Sequence, residues 1–207
     1  AADSRTSTAM PVAGGSTGTN VQEAGIDEPD TLKAVDGLAV TVHDSTLHLV
    51  DVSSDTPRAT GSLRLPVNVL DAQVFLVGKR AVVIATPLPT QDSGAWDPGL
   101  QTTWTGVVDL ADASAPTLIT TSEVEGFLVD ARLSGDTVRM VTSFRPNVPF
   151  TAEPTTDQAL AELTGEDFLP QLISRDANGA PTKAGLATSC TALTHPSEAA
   201  GPQVTTV

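Results

Sequence analysis

Four carboxylates lie within eight residues near the beginning of the sequence, in residues 23–30 (EAGIDEPD). They are Glu23, Asp27, Glu28 and Asp30. Hard divalent cations such as calcium take several oxygen ligands from clusters of this kind, so the segment predicts a calcium site. The spacing differs from the D-x-D-x-D-G calcium loop, and Pro29 restricts the backbone. A solvated acidic turn is the alternative, as are carboxylates that bond backbone N–H groups and fix a ring closure.

Three further residues are candidates for contact with a ligand. Trp96 and Asp97 lie in a polar run, residues 90–99 (TQDSGAWDPG), and Phe168 lies in the apolar segment EDFLPQL, residues 166–172. An indole on a loop offers an apolar surface to a sugar or a peptide. No G-x-S-x-G elbow occurs, and the glycine-rich run at residues 14–18 has no lysine after it. We therefore assign no catalytic residue and no cofactor-binding residue.

The elements that would position these residues recur along the chain. Short β-branched or alternating runs occupy residues 31–37, 38–43, 46–52 and 57–65, and again residues 71–78, 80–86, 103–110 and 116–124. A third copy begins at residues 129–135 and 136–143, with its third strand expected near Cys190 and its fourth at residues 204–207. Four short antiparallel strands repeating in this way predict an all-β, partial β-propeller of about three blades. A β-sandwich is the alternative.

The copies differ mainly in the link between their second and third strands. We expect a flexible leader over residues 1–20 and the N-terminal part of a propeller over residues 21–207. Its blades would span about 31–65, 71–124 and 129–207, with an insertion at 144–189. In propeller geometry the second-to-third links share one face with the connections between blades. The growth of these links therefore indicates a functional face.

The composition excludes some partners and limits disulfide chemistry. Asp and Glu number 25 against 11 Lys and Arg, giving a net charge of -14, which argues against nucleic acid and anionic membranes as partners. No run approaches the roughly 20 apolar residues that span a bilayer, so no transmembrane segment is predicted. Cys190 is the single cysteine, so any disulfide partner would lie outside this chain.

The opening of the chain resembles a known family. Residues 19–37 (TNVQEAGIDEPDTLKAVDG) resemble the first residues of the secreted β-propeller-domain family of bacteria and archaea, which is distantly WD-repeat-like. The EDFLPQL segment and the Cys190 segment before HPSE (residues 195–198) follow in the same order. The resemblance implies a propeller fold and a secreted or cell-envelope location. Because rings need at least four blades, it also implies that C-terminal blades outside this chain close the ring.

Fold, charge and loops together lead to two functional expectations. The first is a non-catalytic extracellular module that binds a protein or a polysaccharide at the cell envelope. The second is a propeller enzyme, a hydrolase or a cofactor-dependent oxidoreductase, whose active site is completed by the C-terminal blades.

Overall fold

The computed structural model describes residues 26–88, 101–146, 161–194, 197 and 204–206. Fourteen β-strands in these ranges form three antiparallel sheets, which do not close into a ring. The all-β prediction is therefore confirmed, and each predicted copy of the repeat contributes strands to its own sheet. Within the described ranges, no helix is long and apolar enough to cross a bilayer.

Blade 1 contains four strands that lie side by side in chain order. They are β2 (Leu32–Val35), β3 (Leu38–His43), β4 (Thr46–Asp51) and β5 (Arg58–Arg64). Two-residue links join β2 to β3 and β3 to β4, and both residues of each link have positive φ. That conformation is the type I′ turn, whose twist matches the twist of the flanking strands. The short, uniform links of the sequence thus fold as tight hairpins.

Blade 2 repeats this arrangement and is then extended at its outer edge. Its strands are β6 (Val69–Val77), β7 (Arg80–Pro87), β8 (Thr102–Asp109) and β9 (Thr117–Glu125). A hairpin of β12 (Gln171–Asp176) and β13 (Pro181–Leu186) adds two strands, because β12 pairs with β9. The sheet order is β13-β12-β9-β8-β7-β6. The sequence did not predict this hairpin, which the insertion in the third copy supplies.

Blade 3 is formed by strands that are distant in sequence. Its sheet order is β1-β10-β11-β14, with β1 (Ile26–Asp27), β10 (Phe127–Ser134), β11 (Thr137–Phe144) and β14 (Val204–Thr206). The prediction of a third strand near Cys190 is wrong, because Cys190–Ala192 is an exposed 3₁₀ turn. The β-branched residues of β14 pair with β11 instead, so they take the third position and not the fourth.

Part of the insertion is anchored by apolar residues before β12. A 3₁₀ turn at Gly165–Phe168 is closed by reciprocal hydrogen bonds between Thr164 and Asp167. Leu169 follows and is buried, whereas Phe168 is half-buried. Before this turn, residues 161–162 are helical, and residues 147–160 lie outside the described residues.

The core lies between neighbouring sheets and is mostly aliphatic. Leu47 and Leu49 of blade 1 meet Val83 and Trp104 of blade 2 in one cluster. A second cluster joins blade 2 to blade 3, and it contains Phe75, Ile84, Ala131 and Leu133. Since both faces of blade 2 are covered in this way, β7 is an almost continuous apolar run (RAVVIATP) and does not alternate. Trp104 is fully buried in the cluster between blades 1 and 2.

An aspartate capped by a serine lies in the joint between the third and fourth strands of both blade 1 and blade 2. Asp51 accepts hydrogen bonds from the hydroxyl and the backbone N–H of Ser53, at 2.6 and 2.9 Å. Asp112 accepts the same pair from Ser114, at 2.6 and 2.9 Å. In each case the serine hydroxyl, and then its N–H, hold the pKa of the aspartate below its usual value. These caps fix the turn that leads into each outer strand.

Candidate functional site: the loop face and its apolar rim

Backbone hydrogen bonds show which connections share an edge of the sheets. Ser45, in the second-to-third link of blade 1, accepts from Leu65 N at its carbonyl and from Val69 N at its hydroxyl, both at 2.9 Å. Leu65 and Val69 flank the connection from blade 1 to blade 2. In blade 2, Gln101 O accepts from Gly126 N, in the connection to blade 3. These two kinds of connection therefore lie at one edge, which we call the loop face.

The remaining links lie at the opposite edge. Val52 N donates to Gly37 O at 2.8 Å, and Leu110 N donates to Lys79 O at 2.9 Å. Each of these bonds joins the turn between the first and second strands of a blade to the joint between its third and fourth strands. The division of links between two faces that the sequence predicted is thus confirmed in blades 1 and 2.

Exposed apolar side chains concentrate on the loop face. Seven large hydrophobic side chains are exposed in the part of the chain that the structure describes, and five of them lie at this face. We call these five the apolar rim: Leu32, Leu70, Leu88, Phe127 and Val129, which are between 41% and 56% exposed. Four of them lie in the inner strands β2, β6 and β10, close to where those strands begin. The rim therefore draws on all three blades.

Two β-bulges shape the rim. In β6 the pairing with β7 shifts between Leu70 and Gln73, and Asp71 within the shift has a φ of 48°. In β10 the pairing with β11 shifts between Leu128 and Asp130, which leaves Val129 without a cross-strand partner. Bulges bend a strand and re-aim its side chains, and they are frequent beside binding sites. Both occur at the loop-face end of an inner strand, where they accompany exposed aliphatic side chains.

A short segment crosses the inner edges of the blades just before β2. We call residues 26–30 the strap. Its first two residues form β1, which pairs with Leu133 and Ser134 of β10. Asp30 then exchanges two backbone hydrogen bonds with Val74 of β6, at 2.7 and 3.3 Å, before the chain enters blade 1. The strap thus pairs with blades 3 and 2 through its backbone and continues directly into the first strand of blade 1.

The carboxylates of the strap bond to groups of the protein. Asp27 forms a 2.7 Å ion pair with Lys33, whose side chain is buried. Glu28 pairs with Arg132 of β10 at 3.1 Å, and Arg132 also binds Asp130. Asp30 accepts a hydrogen bond from the N–H of Thr31 at 2.7 Å. Asp30 thus bonds a backbone N–H group, as one alternative to the calcium site requires, whereas Asp27 and Glu28 form ion pairs with side chains of blades 1 and 3.

The predicted calcium site is only partly covered by the structure. Glu23 lies outside the described residues, so the set of Glu23, Asp27, Glu28 and Asp30 cannot be assembled from them. Among the described residues, no group of three or more His, Cys, Asp or Glu side chains is placed to hold a metal ion. Calcium binding that involves Glu23 stays a prediction.

The predicted ligand-contact residues have a similar outcome. Trp96 and Asp97 lie outside the described residues, and their role stays a prediction. Phe168 is half-buried in the 3₁₀ turn that leads to β12, away from the rim residues in sequence. Sequence reasoning missed the rim itself. The sequence pattern that could have indicated the rim is an aliphatic residue next to an aspartate at the start of an inner strand, as in Leu70-Asp71 and Val129-Asp130.

Comparison with known proteins gives a single family. A family model described as Beta propeller domain matches residues 16–207. No curated protein and no solved structure shows a significant match to the chain.

Proposed function

Because the chain belongs to the beta propeller domain family, we propose that it acts as a non-catalytic binding module at the cell exterior, secreted or held at the envelope. The observation that supports binding is the apolar rim. Isolated exposed hydrophobic side chains are normal on a protein surface, but five gathered on one face are typical of an interaction site. We propose that the rim is where a partner docks.

The chemistry of the rim favours a protein over a polysaccharide as the partner. Sugar-binding surfaces use the flat faces of aromatic rings, whereas the rim has four aliphatic side chains and one phenylalanine. Aliphatic side chains at the centre of a polar surface are the usual core of a protein–protein interface. The bulges are consistent with a binding surface, since they re-aim Leu70 and Val129 while both residues remain within strands and not in loops.

The proposal is tested with the full chain and cell-envelope preparations of the organism that encodes it. The double variant Leu70→Ser/Val129→Ser removes two rim anchors, and Val52→Ser is the matched control on the opposite face. Burying about half of a leucine or valine side chain contributes roughly 1 kcal/mol, so the double variant should weaken binding about ten- to thirty-fold. The control should bind as the unaltered chain does.

Enzymatic treatment of the envelope preparation separates the two classes of partner. Loss of binding after protease digestion, with binding kept after digestion of glycans, supports a protein partner. The reverse pattern identifies a polysaccharide and contradicts this choice. Equal binding by the rim variant and the unaltered chain would show that the rim is not the docking surface.

A further inference from the structure

We infer that the segment that docks on the apolar rim is basic, presenting lysine or arginine side chains to it. This inference rests on the proposed function and adds the chemistry of the partner. It follows from a pairing that recurs at the start of each inner strand. An exposed aliphatic residue there has an aspartate within two positions: Asp30 with Leu32, Leu70 with Asp71, and Val129 with Asp130.

The ion pairs of the protein leave part of this negative charge uncompensated. Asp130 is already paired with Arg132. Asp30 and Asp71, in contrast, have no cationic partner among the residues that the structure describes. The backbone bridge between Asp30 and Val74 places the strap against β6, the strand that carries Leu70 and Asp71. Asp30 and Asp71, whose carboxylates have no counter-charge in the described part of the chain, thus lie within two positions of rim residues in blades 1 and 2.

Lysine and arginine fit a surface that combines these groups. Their long aliphatic stems lie along apolar side chains while the charged head remains hydrated or meets a carboxylate. A neutral apolar segment would cover the rim but leave Asp30 and Asp71 partly desolvated without a partner, which costs free energy. An acidic segment would be repelled by both carboxylates and by the net charge of -14. A basic and partly apolar segment satisfies both parts of the surface.

The test uses three synthetic peptides of equal length as probes. One alternates lysine with leucine, the second replaces each lysine with glutamate, and the third replaces each leucine with serine. Binding to the full chain is measured by fluorescence anisotropy at low and high salt. We expect the lysine–leucine peptide to bind best, and its affinity to fall with salt, because exposed charges are screened within about 3 Å at 1 M.

A matched pair of variants separates docking at the rim from general attraction to an acidic protein. Asp71→Asn removes one rim carboxylate, and asparagine tolerates the positive φ at this position. Asp55→Asn removes an exposed carboxylate from the joint after β4, on the opposite face. An exposed ion pair is worth up to about 1 kcal/mol, so Asp71→Asn should weaken the lysine–leucine peptide about two- to five-fold. Asp55→Asn should leave its affinity unchanged.

The outcomes distinguish this inference from the proposed function. Equal losses in the two asparagine variants, or equal binding of the glutamate peptide, would overturn the basic partner. If envelope binding still depended on Leu70 and Val129 in that case, the proposed function would stand with a partner of other chemistry. If envelope binding were independent of the rim, the proposed function would fail whatever the peptides did.

Discussion

Replacing Gly106 with alanine should destabilise the contact between blades 1 and 2. Gly106 lies in β8 two residues after Trp104, so both residues face the same side of the sheet. The indole of Trp104 lies over the glycine. A methyl group at position 106 would overlap the indole Cη2 atom and lie 3.0 Å from Cζ2 and Cζ3. The ring would have to move, yet it is fully buried in the core.

The expected loss follows from two opposing effects. Overpacking a well-packed core costs about 1–3 kcal/mol, because side chains are forced from their preferred rotamers. Alanine restricts the unfolded chain more than glycine does, which recovers roughly 0.4–1 kcal/mol at a position without positive φ. We therefore expect Gly106→Ala to lower the free energy of unfolding by about 1–2 kcal/mol. For a chain of this size, that corresponds to a Tm lower by about 2–8 °C.

A double-mutant cycle with Trp104→Phe tests the cause of this loss. The indole atoms that a methyl group would meet all belong to the six-membered ring, which phenylalanine does not place there. Gly106→Ala should therefore be nearly neutral in the Trp104→Phe background, with a coupling free energy of about 1 kcal/mol or more. Urea unfolding followed by far-UV circular dichroism measures all four proteins. An equal cost of Gly106→Ala in both backgrounds would refute the overlap with the indole.

Three further predictions concern the strap, the joints and the added hairpin. Asp27→Asn should lower the free energy of unfolding by about 1–3 kcal/mol, because its partner Lys33 is buried. Glu28→Gln removes an exposed ion pair with Arg132 and should lower it by less than about 1 kcal/mol. Thermal unfolding of both variants measures the two losses. Folding lowers the pKa of Asp112. The ionised Asp112 carboxylate therefore stabilises the fold above its unfolded pKa, and this stabilisation is lost as pH falls through its folded pKa. The difference in Tm between the unaltered chain and Asp112→Asn should narrow below about pH 4. Deleting the β12–β13 hairpin should expose the edge of β9 and cause concentration-dependent association in light scattering, and a variant that stays monomeric would contradict this role of the hairpin.

The local features of the fold could be predicted from the sequence. Strands of blades 1 and 2 follow from alternating or β-branched runs, and their tight links follow from short polar pairs such as Asp36-Gly37. The aspartate that ends the third strand marks the same turn in both blades, since Asp51 and Asp109 each accept a hydrogen bond from the N–H two residues later. Each of these features is decided by residues close together in the chain, so sequence patterns were sufficient.

The pairings between distant segments could not be predicted in the same way. The turn at Asp176, with Gly179 at a positive φ, indicates a hairpin, yet nothing in its sequence shows that β12 pairs with β9. Backbone groups of any exposed edge accept any strand, so register and partner depend on which apolar faces become covered. The assignment near Cys190 failed for this reason. Its run is β-like in composition, but the position beside β11 is taken by β14.

These long-range pairings bear directly on the rim. The strap joins the inner edges of blades 3, 2 and 1, while the insertion of blade 3 adds its hairpin to the outer edge of blade 2. Blades 2 and 3 are therefore connected at both edges, blades 1 and 2 at the inner edge, and both pairs also through their cores. Leu70 and Val129 lie on inner strands held in this frame, so little conformational entropy is lost when a partner covers them. A preorganised surface of this kind favours recognition of an extended, charged and apolar segment, whose own ordering is then the main cost of binding.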